Sequence, residues 1–393
     1  MEPRSEAGVR DEVHPEAFEE DLEEDRRVSG MSAALTDRRR LALWVLLFAA
    51  LVAAIYVLVP RIVGLDDEVA QIQDAAWYWV AIAIAFNVAA FASYVALFRG
   101  VLGGSAAEEV RTRLDVRASY QITMAGLAAT RIFSAAGAGG VLLTYWTLRK
   151  AGMPRRRSAC RMVAFLVLMY SVYALALVVF GVLLRTGVLP GDAPVAATIV
   201  PASLAGVALV VAGLVALVPG DLERRLAGLR DGGRAGRVAA RLAPVPTTAA
   251  TGIRTAIAYL RHPRRGALGI AGAVGFWAAN IGVLWASFEA FGGDVPFGVL
   301  VQGYFLGMAA NLLPSPAGGV GSVDAGMIGA FVVLGISGGI VFPAVLTYRV
   351  IAFWLPIVPG FLAFFQLRRT VARWEHERQP YTSESKVRAA EAT

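Results

Sequence analysis

Three charged side chains lie inside apolar runs of this sequence, Arg131, Asp324 and Arg349, and they are the groups with chemistry to offer at depth. A carboxylate within an apolar run is costly to bury, so a functional role is its default reading: pairing with a cation, carrying a proton or coupling to an ion. A guanidinium stays charged and presents a planar fork that suits phosphate or carboxylate. Asp324 belongs to LGMAANLLPSPAGGVGSVDAGMIGA, residues 306–330, which Pro314, Pro316, Gly318, Gly319 and Gly321 interrupt. The prolines remove donors and the glycines loosen the backbone, so no helix continues through them. At bilayer depth a chain leaves helical geometry only where protein or a wet cavity satisfies the freed groups, and the break therefore marks a buried site. Asn311 immediately precedes it, where free carbonyls need donors; interhelical hydrogen bonding is the plainer reading of Asn311, as of Asn87 and Asn280. The glycines permit the turn and close backbone approach rather than bind a ligand.

These residues must be held by membrane helices. The 393-residue chain is 57% hydrophobic and 17% charged, with several apolar runs of about twenty residues or more. The net charge of +7 averages two regions: residues 1–30 carry eleven acids against four arginines, and the remainder is basic. The head, residues 1–37, has no apolar face and is expected to be disordered and cytoplasmic, with Met31 an alternative start. No cleavable signal is visible, since the first apolar run begins only at Leu41 and is too long for one. The single cysteine, Cys160, excludes an internal disulfide. His14, His262 and His376 fall in polar loops or tails and form no metal set, so neither a metal nor a cofactor is called for.

Spans are expected at 41–60, 75–98, 159–184, 194–218, 266–291 and 342–367. Arginines before the first and after the last put both termini in the cytoplasm, and the basic stretch 219–265 becomes a cytoplasmic loop that fixes topology or attracts anionic headgroups. Two further apolar stretches, 118–147 and 298–335, begin and end on one side each, the first on the cytoplasmic side and the second outside. The first is too short for two crossings and reads as a re-entrant hairpin broken at Gly137, Gly139 and Gly140; the second is a hairpin or a pair of short spans. The fold class is then an all-α polytopic membrane protein of two inverted units, about 41–184 and 194–367, each of three spans plus one re-entrant or broken helical hairpin. Inverted repeats with broken helices near the midplane are a plan of secondary transporters. Sliding the chain by 181 residues lays GLAATRIFSAAGAGGV over GMAANLLPSPAGGVGS with seven identities in sixteen, which supports a repeat. The transmembrane domain would run from 38 to 370, followed by a disordered cytoplasmic tail, 371–393.

LLPSPAGGVGSVDAG from Leu312, YRVIAFWLPIVPG from Tyr348 and TRIFSAAGAGGVLLTYWTLRKAGM from Thr130 carry a resemblance. Over about residues 40–370 the chain resembles the flippase-like transmembrane region of lysylphosphatidylglycerol synthases and their stand-alone relatives. The resemblance implies an integral inner-membrane protein, with translocation of a lipid or lipid-linked molecule as the family's proposed activity. Relatives commonly place a glutamate where this chain has Asp324, and often prolines where it has Phe133 and Ala135. About 25 residues follow the last span, so the soluble aminoacyl-transferring domain is not expected in this chain, nor lipid aminoacylation by it alone.

If the substrate is an amphiphile with an anionic phosphate head, Arg131 near the tip of the first hairpin is placed to hold that phosphate. Arg349, about 10 Å into the last span, could pair with Asp324. The pair is a structural ion pair pinning the broken helix, a gate or proton-coupling site, or a direct headgroup contact. Tyr348 joins the binding or coupling candidates beside Arg349, with membrane-belt or packing duty as its competing reading. The leading expectation is a translocator of an anionic phospholipid or polyprenyl-linked lipid. The alternatives are a non-transporting partner or scaffold of a separate membrane enzyme, and an ion-coupled carrier of a small solute. A nucleic-acid partner is not expected. Nor is enzymatic chemistry: there is no nucleotide loop, nucleophile elbow, zinc signature or suitable carboxylate pair. A lipid carrier needs a groove open to the bilayer between the units, whereas a solute carrier needs only aqueous vestibules.

Overall fold

The computed structural model describes residues 76–103, 108–132, 138–219, 244–312 and 319–391, all within the unit Leu58–Thr393. The acidic head, Met31, the expected span 41–60, and Gly137, Pro314, Pro316 and Gly318 lie outside the described residues. Among the described residues the elements are helical, with no strand. Four stretches among the described residues are long and apolar enough to cross a membrane: Trp77–Gly103, Arg155–Arg185, Gly266–Glu289 and Gly338–Glu377. The protein is an all-α polytopic membrane protein.

Helix α1 (Trp77–Phe98) continues into a π-helical turn, Arg99–Gly103. A short helix α2 (Glu108–Arg113) leads to a first hairpin, α3 (Val116–Ile132) and α4 (Ala138–Lys150). Asp115 starts α3 by accepting the Ala118 N–H at 2.6 Å. The long α5 (Arg155–Arg185) is followed by α6 (Ile199–Val215), α7 (Pro244–Arg261) and α8 (Pro263–Glu289). A second hairpin, α9 (Phe297–Met308) and α10 (Ser322–Val333), precedes α11 (Gly338–Arg349), a π-helical turn Val350–Trp354 and α12 (Ile357–Glu391). Pro356 explains the interruption before α12, because it offers no N–H to the carbonyl four residues back.

The centre of the bundle is the antiparallel crossing of α1 and α8, and it is made of glycine. Gly100 lies against Gly269, Gly272 against the Leu97 backbone, Gly275 against Ser93 and Gly282 against the Phe86 ring. Without side chains the two backbones approach closely, which is how membrane helices gain dispersion energy when surrounding lipid is as apolar as they are. Both hairpins close antiparallel by the same device: Gly126 faces Gly140 in the first, and Gly307 faces Met327 in the second. Their first residues, Val116 and Phe297, are displaced by the same 181 positions as the sequence repeat. Each hairpin packs on a long helix from the other half of the chain. Met124 and Ala128 of α3 meet Gly360 of α12, and the Tyr173 hydroxyl of α5 donates to the Phe305 carbonyl of α9 at 2.6 Å.

Several boundaries differ from those expected. The span read at 194–218 is the 17-residue α6, about 25 Å long, with Leu204, Val207, Val210 and Leu214 turned outward. The basic stretch 219–265 is not a plain loop, since α7 occupies part of it. There Gly252 packs on Val163 of α5, and the Arg254 guanidinium caps the end of α6 at the Ala216 (2.8 Å) and Val218 carbonyls. Residues 371–391, expected as a disordered tail, continue α12. Val371 and Trp374 are buried there, and Glu375 pairs with Lys150 of α4 at 2.9 Å. Packing against the first hairpin, rather than propensity, keeps the helix going.

The glycine crossing can be tested by overpacking it. A Cβ at Gly272 would stand 2.4 Å from the Leu97 nitrogen, backbone that cannot move aside. Gly272→Val is expected to cost about 1–3 kcal/mol. Gly206→Ala on α6, where nothing lies within 4 Å, is expected to be neutral or stabilising by up to about 1 kcal/mol. Unfolding midpoints of the purified protein in detergent separate the two.

Candidate functional site

Two helix breaks face each other, one ahead of α10 and one between α11 and α12. Ahead of α10 the chain turns through Gly319 (φ 89°) and Gly321 (φ 85°), left-handed conformations that glycine adopts without strain. Asp324 sits at the third position of α10, and its Oδ2 accepts the Gly321 N–H at 2.8 Å. This is half of a capping box, since Gly321 has no side chain to return the bond. The other oxygen, Oδ1, lies 2.7 Å from Nε of Arg349, the last residue of α11. That N–H is not aimed along the hydrogen-bonding line, so the contact is chiefly an ion pair. A second guanidinium nitrogen, Nη2, donates to the Gly319 carbonyl at 3.1 Å. Asp324 is 7% exposed and Arg349 4%, so both ions have left water. Arg349 thus holds the carboxylate that caps α10 and a carbonyl of the turn before it.

The second break is held by α1 and α3. Leu355 donates its N–H to Val350 rather than to Ile351, and Asn87 of α1 fills the vacancy by donating to the Ile351 carbonyl at 2.9 Å. Pro356 leaves the Ala352 carbonyl without its helical donor. Arg131, at the end of α3, supplies one at 3.0 Å and also donates to the Phe353 carbonyl. The guanidinium carbons of Arg131 and Arg349 lie 4.5 and 4.4 Å from the centroid of the same Phe353 ring. Each such contact contributes about 0.5–2 kcal/mol, more as water is excluded. Two guanidiniums and one carboxylate therefore meet around one buried ring, a surplus of positive charge.

The other candidates fall as follows. Tyr348 is buried, with its hydroxyl 3.4 Å from that of Tyr304, inside an aromatic cluster that includes Phe305 and Trp277. Asn311 is exposed on the near side of the broken segment, with its Oδ1 against Gly319. Gly139 and Gly140 lie in the first turn of α4, just after the interval between α3 and α4, and let α4 approach Ala129 and Gly126 of α3. Asn280 bonds the Phe276 carbonyl of its own helix rather than a neighbour. Sequence reasoning missed Phe353; Pro356, three residues on, signals a break nearby but does not single out that ring.

Two cavities adjoin this cluster. An open groove of about 820 Å³ runs between Val88 and Phe91 of α1, Tyr120 and Met124 of α3, and Leu355 and Pro359 of the second half. Asn87 is on its wall, and Arg99 and Arg117 also line it. A smaller cavity, about 280 Å³, is lined by Arg131, Thr130, Tyr94, Tyr170 and Thr123. The Thr123 hydroxyl, although buried, has no hydrogen-bond partner among the described residues.

The family model described as the lysylphosphatidylglycerol synthase TM region matches residues 42–360. A UPF0104 membrane protein of Methanothermobacter thermautotrophicus is 31% identical over 84 residues, which is 21% of this chain and 25% of that protein's length. No solved structure matches.

Removing one member of the buried pair leaves its partner charged and out of water. Asp324→Ala is expected to destabilise the protein by about 3–5 kcal/mol. Asp324→Leu combined with Arg349→Met removes both charges and is expected to recover part of that loss. Midpoints of denaturation in detergent, measured for the single and double variants, test the order.

Proposed function

Because the chain belongs to the lysylphosphatidylglycerol synthase transmembrane-region family, we propose that it translocates an anionic phospholipid or polyprenyl-linked lipid across the cytoplasmic membrane. The family relation makes it a membrane domain related to lipid handling. The step from there to translocation rests on the groove. It is walled by helices from both halves of the chain, lined mostly by apolar side chains, and reaches Asn87, which is bonded to the same turn that Arg131 holds. A carrier of small polar solutes has no use for an apolar trough of about 820 Å³ on its flank. The lipid's chains would occupy that trough while its phosphate is drawn toward the surplus positive charge around Phe353.

The pairing of the halves supports a reading of alternating access. The α3–α4 and α9–α10 hairpins begin 181 residues apart and each rests on a long helix of the opposite half, which supports two inverted units rocking about a fixed site. Arg368, Arg369 and Arg373, on α12 beyond its apolar run, support a cytoplasmic C-terminus by the positive-inside rule. In this reading the chain does no covalent chemistry and its partners are anionic membrane lipids.

Proteoliposomes carrying fluorescent phosphatidylglycerol and a membrane-impermeant quencher test the proposal. The native protein is expected to move the lipid between leaflets. Arg131→Gln, Asp324→Asn and Arg349→Gln, each recovered as folded protein, are expected to slow the movement about tenfold or more, the loss of one charge-assisted contact of about 1.5–3 kcal/mol. Folded native protein that moves no anionic lipid overturns it.

A further inference from the structure

Beyond the buried cluster, a second positively charged cavity lies where α3 and α12 run antiparallel. It has a volume of about 460 Å³ and is lined by Arg117 and Gln121 of α3 and by Gln366, Arg369, Thr370 and Arg373 of α12. The spacing is helical on both sides: four residues apart on α3, and three, four and seven on α12, so one stripe of each helix faces the other. The floor is built. Gln121 is 1% exposed and Thr370 7%, and the Thr370 hydroxyl donates to the Gln121 side-chain oxygen at 2.9 Å. Gln121 in turn donates to Gln366 at 3.4 Å, and Arg373 donates to the Thr370 hydroxyl at 3.3 Å. Among the described residues no carboxylate lies within ion-pair distance of Arg117, Arg369 or Arg373. Asp115 and Glu377 line the adjoining pocket, but Asp115 is committed to the start of α3.

Arginines at a membrane exit often do no more than set topology. Three that converge from the two halves of the chain on one cavity, over a hydrogen-bonded amide and hydroxyl floor, have an arrangement that topology does not require. Arg117 also lines the apolar groove, so the charged cavity and the groove share a wall. We infer that Arg117, Arg369 and Arg373 bind the phosphate of an amphiphile whose chains lie in that groove. The inference rests on the lipid-handling reading and adds a loading site at the membrane surface, apart from the charges around Phe353. Guanidinium forks give bidentate contacts to phosphate oxygens, and the ligand is identified as lipid by the continuity of cavity and groove.

Binding to the detergent-solubilised full chain is measured by titration calorimetry with three probes: dihexanoyl phosphatidylglycerol, dihexanoylglycerol, which lacks the phosphate, and glycerol phosphate, which lacks the chains. The double variant Arg369→Gln, Arg373→Gln is expected to weaken phosphatidylglycerol binding about tenfold or more and leave dihexanoylglycerol unchanged. Arg157→Gln, an exposed arginine on α5, is expected to bind like the native protein. Glycerol phosphate is expected to bind far more weakly than the lipid. Unchanged phosphatidylglycerol binding in the double variant overturns the inference, as does an equal loss for dihexanoylglycerol. Tight glycerol phosphate binding that the double variant loses also overturns it, by making this a soluble-phosphate site. If the expected binding pattern appears but native protein moves no lipid in vesicles, the translocation reading fails and the phosphate site stands; lipid movement with unaltered binding in the double variant gives the reverse.

Discussion

A polypeptide in hydrocarbon has no water to satisfy a carbonyl or N–H that its own helix has released, and each one left bare costs several kcal/mol. This chain breaks its helices at two facing places, before α10 and between α11 and α12. The polar groups gathered at those two places are explained by that choice. Asn87, Arg131 and Asp324 each bond a backbone group that the breaks set free, and Arg349 adds a second bond to the Gly319 carbonyl, which already accepts the Val323 N–H. The ions are therefore tied first to backbone, and their mutual attraction is added to that. Such a cluster holds its shape because every member has a direction to satisfy.

The arithmetic of charge within the cluster gives it a second property. Asp324 answers Arg349, and Arg131 has carbonyl dipoles and the face of Phe353 but, among the described residues, no carboxylate. Dipoles and a ring quadrupole make a buried cation tolerable without cancelling its field. The low-dielectric surroundings extend that field farther than water would allow. An anionic group approaching along the groove meets attraction that a fully paired cluster would not offer.

What the sequence discloses follows from what is costly. Asp324 and Arg349 stand out because ions are rare in apolar runs, and the expectation that they lie at similar depth needs only a count of residues; they meet at 2.7 Å. The hairpins are legible from their glycines and prolines and from their flanking charges, and the shared 181-residue spacing survives into the helix starts. Other features were hidden for physical reasons. The partners of Arg131 are carbonyls, which every residue has, so nothing in the side-chain pattern marks Ala352 or Phe353 as special. Gly139 and Gly140 read as breakers in a line of text, and their helix contact is not legible there, because a missing side chain can loosen a backbone or admit a neighbour. The continuation of α12 past 370 depends on packing against α4, a contact between residues far apart in the chain. Arg117, Arg369 and Arg373 look alike as topology markers until two helices are laid side by side.

The proline that ends the π-helical turn has a consequence for ancestry. As long as Pro356 is present, the Ala352 carbonyl has no donor from its own helix, and Arg131, from the other half of the chain, makes good the deficit. Neither residue is then free to drift alone. Loss of the arginine exposes a debt that the proline created, and loss of the proline releases an arginine whose anchorage has gone. A substitution at either position thus changes what is asked of the other, although the two lie in opposite halves of the chain.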